Sequence, residues 1–228
     1  MTLIEPDVAL TDFGLAAECA LFAAWLHWGT LRDSPLRRWF VVLFAALGVG
    51  ALLGGITHGF FPDAEAQAAR VVWIATLVAI GIAALASWAV GAHVLLANSG
   101  ARWLVAAAAL LFALNVAVVL SVSQSFLVAI VFYAPAIVFA LIAFVLAYRA
   151  SGNPSVRLAI AGIVLSLIAA VVQQTQTGIA ALGLSHNALY HLVQAAGLLL
   201  IFLTARGLAS AGRDPSQPHA VHVSRETN

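Results

Sequence analysis

Four side chains of this 228-residue chain, His58, His186, His191 and Glu18, are of the types that hold and work a metal ion. Zinc takes His nitrogens at about 2.0–2.1 Å in a tetrahedral array, and a catalytic zinc keeps one position open for water. His58 and His191 are the expected ligands, with His186 or the Glu18 carboxylate as a third and Glu18 as the candidate catalytic residue. Asn187 or Gln194 would orient the ligands from behind. Water acidified by such an ion attacks an ester or amide carbonyl, here that of a lipid-like substrate reaching in sideways.

These residues can act together only if the elements that carry them bring them to one depth. The chain is 63% hydrophobic and 8% charged, with a mean hydropathy of +1.04, which leaves too few charges to cover a globule in water. That excludes a soluble enzyme and a nucleic-acid partner; the expectation is an all-α polytopic membrane protein. About 20 apolar residues cross the hydrocarbon core. Seven such runs are expected at 10–31, 39–61, 71–96, 103–121, 126–148, 158–178 and 186–206, forming one bundle over 10–206 between an outer segment, 1–9, and a polar, disordered tail, 207–228. The opening MTLIEPDVALTD has acids where a leader has a basic region, so the first helix is expected to be its own insertion signal.

All ten basic residues are Arg. Without a Lys there is no retinal Schiff base and no P-loop. Cys19 stands alone in an apolar run and reads as a small buried hydrophobe. With seven spans, nine of the ten Arg fall on one side, and only Arg70 falls on the other, near Asp63 and Glu65, while Glu5, Asp7 and Asp12 precede or open the first span. Positive flanks stay in the cytoplasm, so the reading is N-out and C-in, in the inner (plasma) membrane of a bacterial cell.

Under that orientation Glu18, His58, Asn115, the Gln173–Thr177 run and the start of helix seven all lie in the outer half, which predicts an outward-facing polar cavity. On helix seven Asn187, His191 and Gln194 follow i, i+4, i+7 and make one stripe. On helix six Gln173, Gln176 and Thr177 share a face that could meet it. Interhelical hydrogen bonding alone also accounts for the Asn and Gln residues. Gly50 and Gly54, spaced as GxxxG, read as packing signals, and Trp25, Trp28, Trp39, Trp73 and Trp103 as an aromatic belt. Two further classes stay open. His58 with His186 or His191, and His27 with His93, could hold two b-type haems in an electron carrier. Glu18 facing a Gln-lined helix six could instead couple protons in a transporter, or the cavity could serve a receptor without catalysis.

The segments ITHGF around His58 and SHNALYH at 185–191 resemble the superfamily of alkaline ceramidases and progestin/adiponectin-type receptors. The resemblance implies zinc-dependent hydrolysis of a lipid amide, with His58 and His191 as zinc ligands. The family's last-helix pair is H-x-x-x-H; Asn187 holds the matching position here, and Gly54 stands where the family has Ser before the helix-two His. The family's helix-three Asp has no counterpart. TDFGLAAE and SHNALYHLVQ are more similar to small uncharacterised bacterial seven-helix proteins, which imply no activity.

Overall fold

The computed structural model describes residues 3–29, 33–61, 63 and 66–210. Seven long α-helices make up almost all of these: α1 (Pro6–Trp28), α2 (Pro35–Phe60), α3 (Gln67–Leu95), α4 (Asn98–Ser121), α5 (Phe126–Ser151), α6 (Pro154–Gln174) and α7 (His186–Ser210). Each is long and apolar enough to cross a membrane. No strand occurs among the described residues. The expected tail beyond Ser210 lies outside the described residues, as do Glu65, Arg32, Arg213 and Arg225.

Local chemistry sets where the helices start. Proline, with φ pre-set and no N–H to satisfy, opens α1, α2 and α6. The Ser34, Ser125 and Asn153 side chains accept the orphan N–H groups of Arg37, Leu127 and Ser155. Helix α5 stops at Gly152, whose φ of +63° suits a residue without Cβ. Most ends fall a few residues from the expected spans, and two of these shifts bear on the site. Helix α1 begins at Pro6 rather than residue 10, which moves Asp12 from its first turn to its second. Helix α6 ends at Gln174 rather than 178, and the link to α7 folds into a short 3-10 turn, Ala180–Leu182, closed by pairing of Ile179 with Leu184.

Consecutive helices run up and down. Glu5 and Asp7, at the start of α1, reach His58 near the end of α2 and Ser185 just before α7. At the other end Arg37 of α2 donates to the Leu26 carbonyl of α1, and Thr204 of α7 donates to the Ser155 carbonyl of α6. Helix α1 also packs on α7 and closes the bundle, whereas α4 lies outside it against α3. The backbones of α6 and α7 cross closely: a Cβ on Gly197 would stand 2.8 Å from the Gly162 carbonyl oxygen.

The two halves of the bundle are filled differently. In the lower half, away from the N-terminus, Leu26, Phe40, Phe44 and Phe144 are fully buried, and Phe202 stacks on Phe22 at 4.2 Å. Arg206 lies over the Trp25 ring, 4.6 Å from its centre. Such close packing leaves little room. The upper half does not close in the same way, and a cavity of about 320 Å³ opens there among α1, α2, α3, α5, α6 and α7.

Candidate functional site

Along the helices that line this cavity, polar side chains come near the upper end and apolar ones deeper. Asp12, His58, Gln173, Gln174, Asn187, His191 and Gln194 line the upper part, and Leu15, Leu47, Ile80, Ile137 and Leu198 the floor. The i, i+4, i+7 stripe expected on helix seven is realised by Asn187, His191 and Gln194. Gln194 donates to the Ser166 hydroxyl of α6 at 3.1 Å, and that hydroxyl passes its own hydrogen to the Gly162 carbonyl.

The centre of the polar part is a contact between α1 and α7. His191 Nε2 lies 3.1 Å from Asp12 Oδ1, and both side chains are buried. On the other face of the ring, His191 Nδ1 lies 3.1 Å from the Thr11 hydroxyl. That hydroxyl is itself 2.8 Å from the Asp7 carbonyl and 2.9 Å from the Val8 carbonyl, neither of which can donate. The hydroxyl hydrogen therefore points back along α1, and its oxygen accepts from Nδ1–H of His191. This fixes the tautomer and leaves Nε2 to face a carboxylate oxygen. Two acceptors at that separation need something between them, either a proton on one of the two or a cation. The second oxygen, Asp12 Oδ2, is buried and has no hydrogen-bond partner.

Helix α2 makes room for this carboxylate with Gly54, and His58 follows one turn later. His58 Nδ1 pairs with Glu5 Oε2 at 2.8 Å at the more exposed mouth. The N-terminal backbone lies along the same edge, with the Ile4 and Glu5 N–H groups donating to the Gly59 and His58 carbonyls. Asp7 Oδ2 accepts from the Ser185 N–H at 3.0 Å and ties the α6–α7 link to α1. On the far side Trp73 lines the cavity and donates to the Gln124 carbonyl at 2.8 Å, so it does more than the belt position expected of it.

The structure brings five of the nine expected site residues to the cavity: His58, His191, Gln173, Asn187 and Gln194. Glu18, His186, Asn115 and Gln176 do not line it. Glu18 is six residues past Asp12, about 240° around the helix, and its Oε2 is buried without a partner elsewhere. His186 is five residues before His191, about 140° away on α7. Asn115 is 1% exposed on α4, packed on Gly81 of α3 with both amide atoms unpartnered. Gln176 falls in the turn beyond α6, at φ +52°. His27 and His93 stand near the lower ends of α1 and α3, which pack on either side of α2.

Asp12, Thr11, Tyr133 and Ser166 were not among the expected site residues. The signal for Asp12 was the proline at position 6, which starts the helix early enough to bury a residue six positions on. Among the described residues no three His, Cys, Asp or Glu side chains stand close enough to hold a metal ion as they are.

No curated protein and no solved structure matches this chain. A family model does, over residues 8–210, a stretch that takes in all seven helices but for the first two residues of α1, together with the Asp12–His191 pair, and the chain belongs to that family, DUF6962, a family of unknown function.

Proposed function

We propose that this membrane protein binds a lipid-like molecule in its upper cavity, with the polar head against Asp12, His191 and the α6–α7 carboxamides and the apolar part on the floor below. The observation that carries the reading is the buried Asp12–His191 pair at the polar end of a cavity whose floor is apolar. Ligand sites are built in this way, with mostly apolar walls and a few placed polar groups. Polar groups held inside a membrane bundle face a partner or a wet cavity. The cavity opens on the outer side under this reading, because Arg37, Arg38, Arg102, Arg149, Arg157 and Arg206 all belong to the opposite ends of their helices. The test is native mass spectrometry of protein released gently from its membrane. A co-purifying amphiphile that is lost when Ile130→Trp fills the cavity supports the reading; equal retention by the filled variant rejects it.

A second reading, zinc-dependent hydrolysis of an amide or ester in that molecule, is favoured by the 3.1 Å contact of Asp12 Oδ1 with His191 Nε2. Two ligands at about 2.0 Å on a tetrahedral ion stand roughly 3.3 Å apart, so this pair fits a shared zinc. Asp12 and His191 would hold the ion, and His58, which does not stand close enough to them as it is, would have to move toward them to serve as third ligand through the nitrogen that Glu5 leaves free. When bound, zinc supplies an acidified water for attack on a carbonyl. Thr11 would keep the His191 imidazole in the ligating tautomer, and Glu5 would orient His58. Glu18 and His186 take no part in this version. Zinc that co-purifies with the protein and is lost from the Asp12→Ala, His191→Ala double variant supports it; protein that is folded and metal-free after zinc dialysis rejects it. The haem reading gains nothing here, since both His191 ring nitrogens face protein groups.

A further inference from the structure

We infer that the cavity selects a head group that donates hydrogen bonds and carries no negative charge, such as an alcohol, an amide or an amine. This rests on the ligand-binding reading above and narrows it to a chemical class. Two observations carry it.

The first is an excess of acceptors. Asp12 Oδ2 and Gln173 Oε1 are buried and unpartnered, and both residues line the cavity. A carboxylate oxygen and an amide oxygen can only accept, so a ligand satisfies them by bringing N–H or O–H groups. Asp12 is 3% exposed and held by its contact with His191, so its free oxygen faces whatever fills the cavity, and a head group that displaces water there must bring a donor of its own.

The second is the charge of the walls. Among the described residues the titratable groups that face the cavity are Asp12 from α1, His58 from α2, Tyr133 from α5, and Tyr190 and His191 from α7, and no Arg lines it; the chain has no Lys. Arg70, at the same end, donates to Gln124 instead. A phosphate or carboxylate head would have to shed its water beside the Asp12 carboxyl with no Arg or Lys side chain to receive it. An uncharged or cationic head meets no such penalty.

The test uses five compounds that share one octyl chain: octanol, octanamide, octylamine, octanoate and octyl phosphate. Their binding to chelator-treated protein in phosphatidylcholine nanodiscs is measured at neutral pH by equilibrium dialysis, with empty nanodiscs as the blank. The alcohol, amide and amine are expected to bind at least tenfold more tightly than both anions. That preference is expected to disappear in the cavity-filled Ile130→Trp variant and to shrink in Asp12→Asn, which exchanges one acceptor for a donor. If the anions bind as tightly as the others in the wild-type cavity, the selection is overturned while ligand binding survives. If no compound exceeds the blank, the ligand-binding reading falls and the selection with it. The wild-type series decides the question even where Asp12→Asn fails to fold.

Discussion

Gly54 of α2 lies directly against the Asp12 carboxyl of α1: a Cβ at position 54 would come within 3.2 Å of Oδ2 and 3.3 Å of Oδ1. A glycine that reads in the sequence as half of a GxxxG packing pair is thus the seat of a buried acid. Gly50, the other half, is different, since a Cβ there would find its nearest neighbours at 3.8 Å, an ordinary contact. Gly54→Ala is therefore expected to displace Asp12 and to lower stability by about 1–3 kcal/mol, with Gly50→Ala close to neutral. Thermal unfolding of the two variants in detergent checks this; equal losses would contradict it.

The Asp12–His191 contact predicts strong coupling. Removing one partner of a buried charged or hydrogen-bonded pair leaves the other uncompensated, at a cost of about 3–5 kcal/mol. Asp12→Leu and His191→Leu should each destabilise severely, and the double variant should cost clearly less than the sum of the two. Additive losses in unfolding measurements would mean that the 3.1 Å contact contributes nothing.

Asn115 supports the opposite prediction. It is buried with both amide atoms unpartnered, and it does not reach the cavity. Leucine has nearly the same branching and removes the unsatisfied groups, so Asn115→Leu is expected to stabilise by about 1 kcal/mol. Ligand retention by native mass spectrometry should not change. A loss of bound amphiphile in this variant would place Asn115 back in the site.

Asp33, in the link between α1 and α2, is an exposed acid whose carboxyl is held below the usual range by its hydrogen bonds to Arg38 and Arg37. A depressed folded value means stability that is present above the unfolded carboxyl value, about 3.9, and lost as pH falls through the lower folded one. The gap in unfolding temperature between wild type and Asp33→Asn should be present at neutral pH and close as the pH drops below about 4. Added salt should narrow it as well, because the pair is exposed. A gap that widens in acid would reverse the assignment.

Much of this arrangement was legible in the residues themselves. Long apolar runs, broken by Arg and Pro, mark seven helices. The Asn187, His191, Gln194 stripe could be read because α7 is regular and 3.6 residues per turn fixes its faces. Asp12 could not be placed while the first helix was taken to begin at residue 10, since a carboxylate in its first turn would have been wet. Gln176 was misplaced because the run QQTQT carries no stop signal; the helix ends where Gln176 takes a φ of +52° and the Thr177 N–H turns back to the Val172 carbonyl. Glu18 drew notice as an acid in an apolar run, but its angle around α1 relative to its neighbours means nothing until the partner of Asp12 is known. That partner, His191, lies 179 positions further along the chain, beyond the reach of any local pattern.

That separation has a consequence for how the protein is made. In a membrane, Thr11 and Asp12 would enter on α1, and five more helices would follow before α7 brought the imidazole that completes them. Until α7 arrived, a carboxyl with nothing to bind would have to be tolerated in or near lipid, sheltered by Gly54 and Gly55 near the end of α2. Helix α7 would therefore be the one whose delay or loss leaves that carboxyl without its partner, and the ring of helices closes at the same moment as the site.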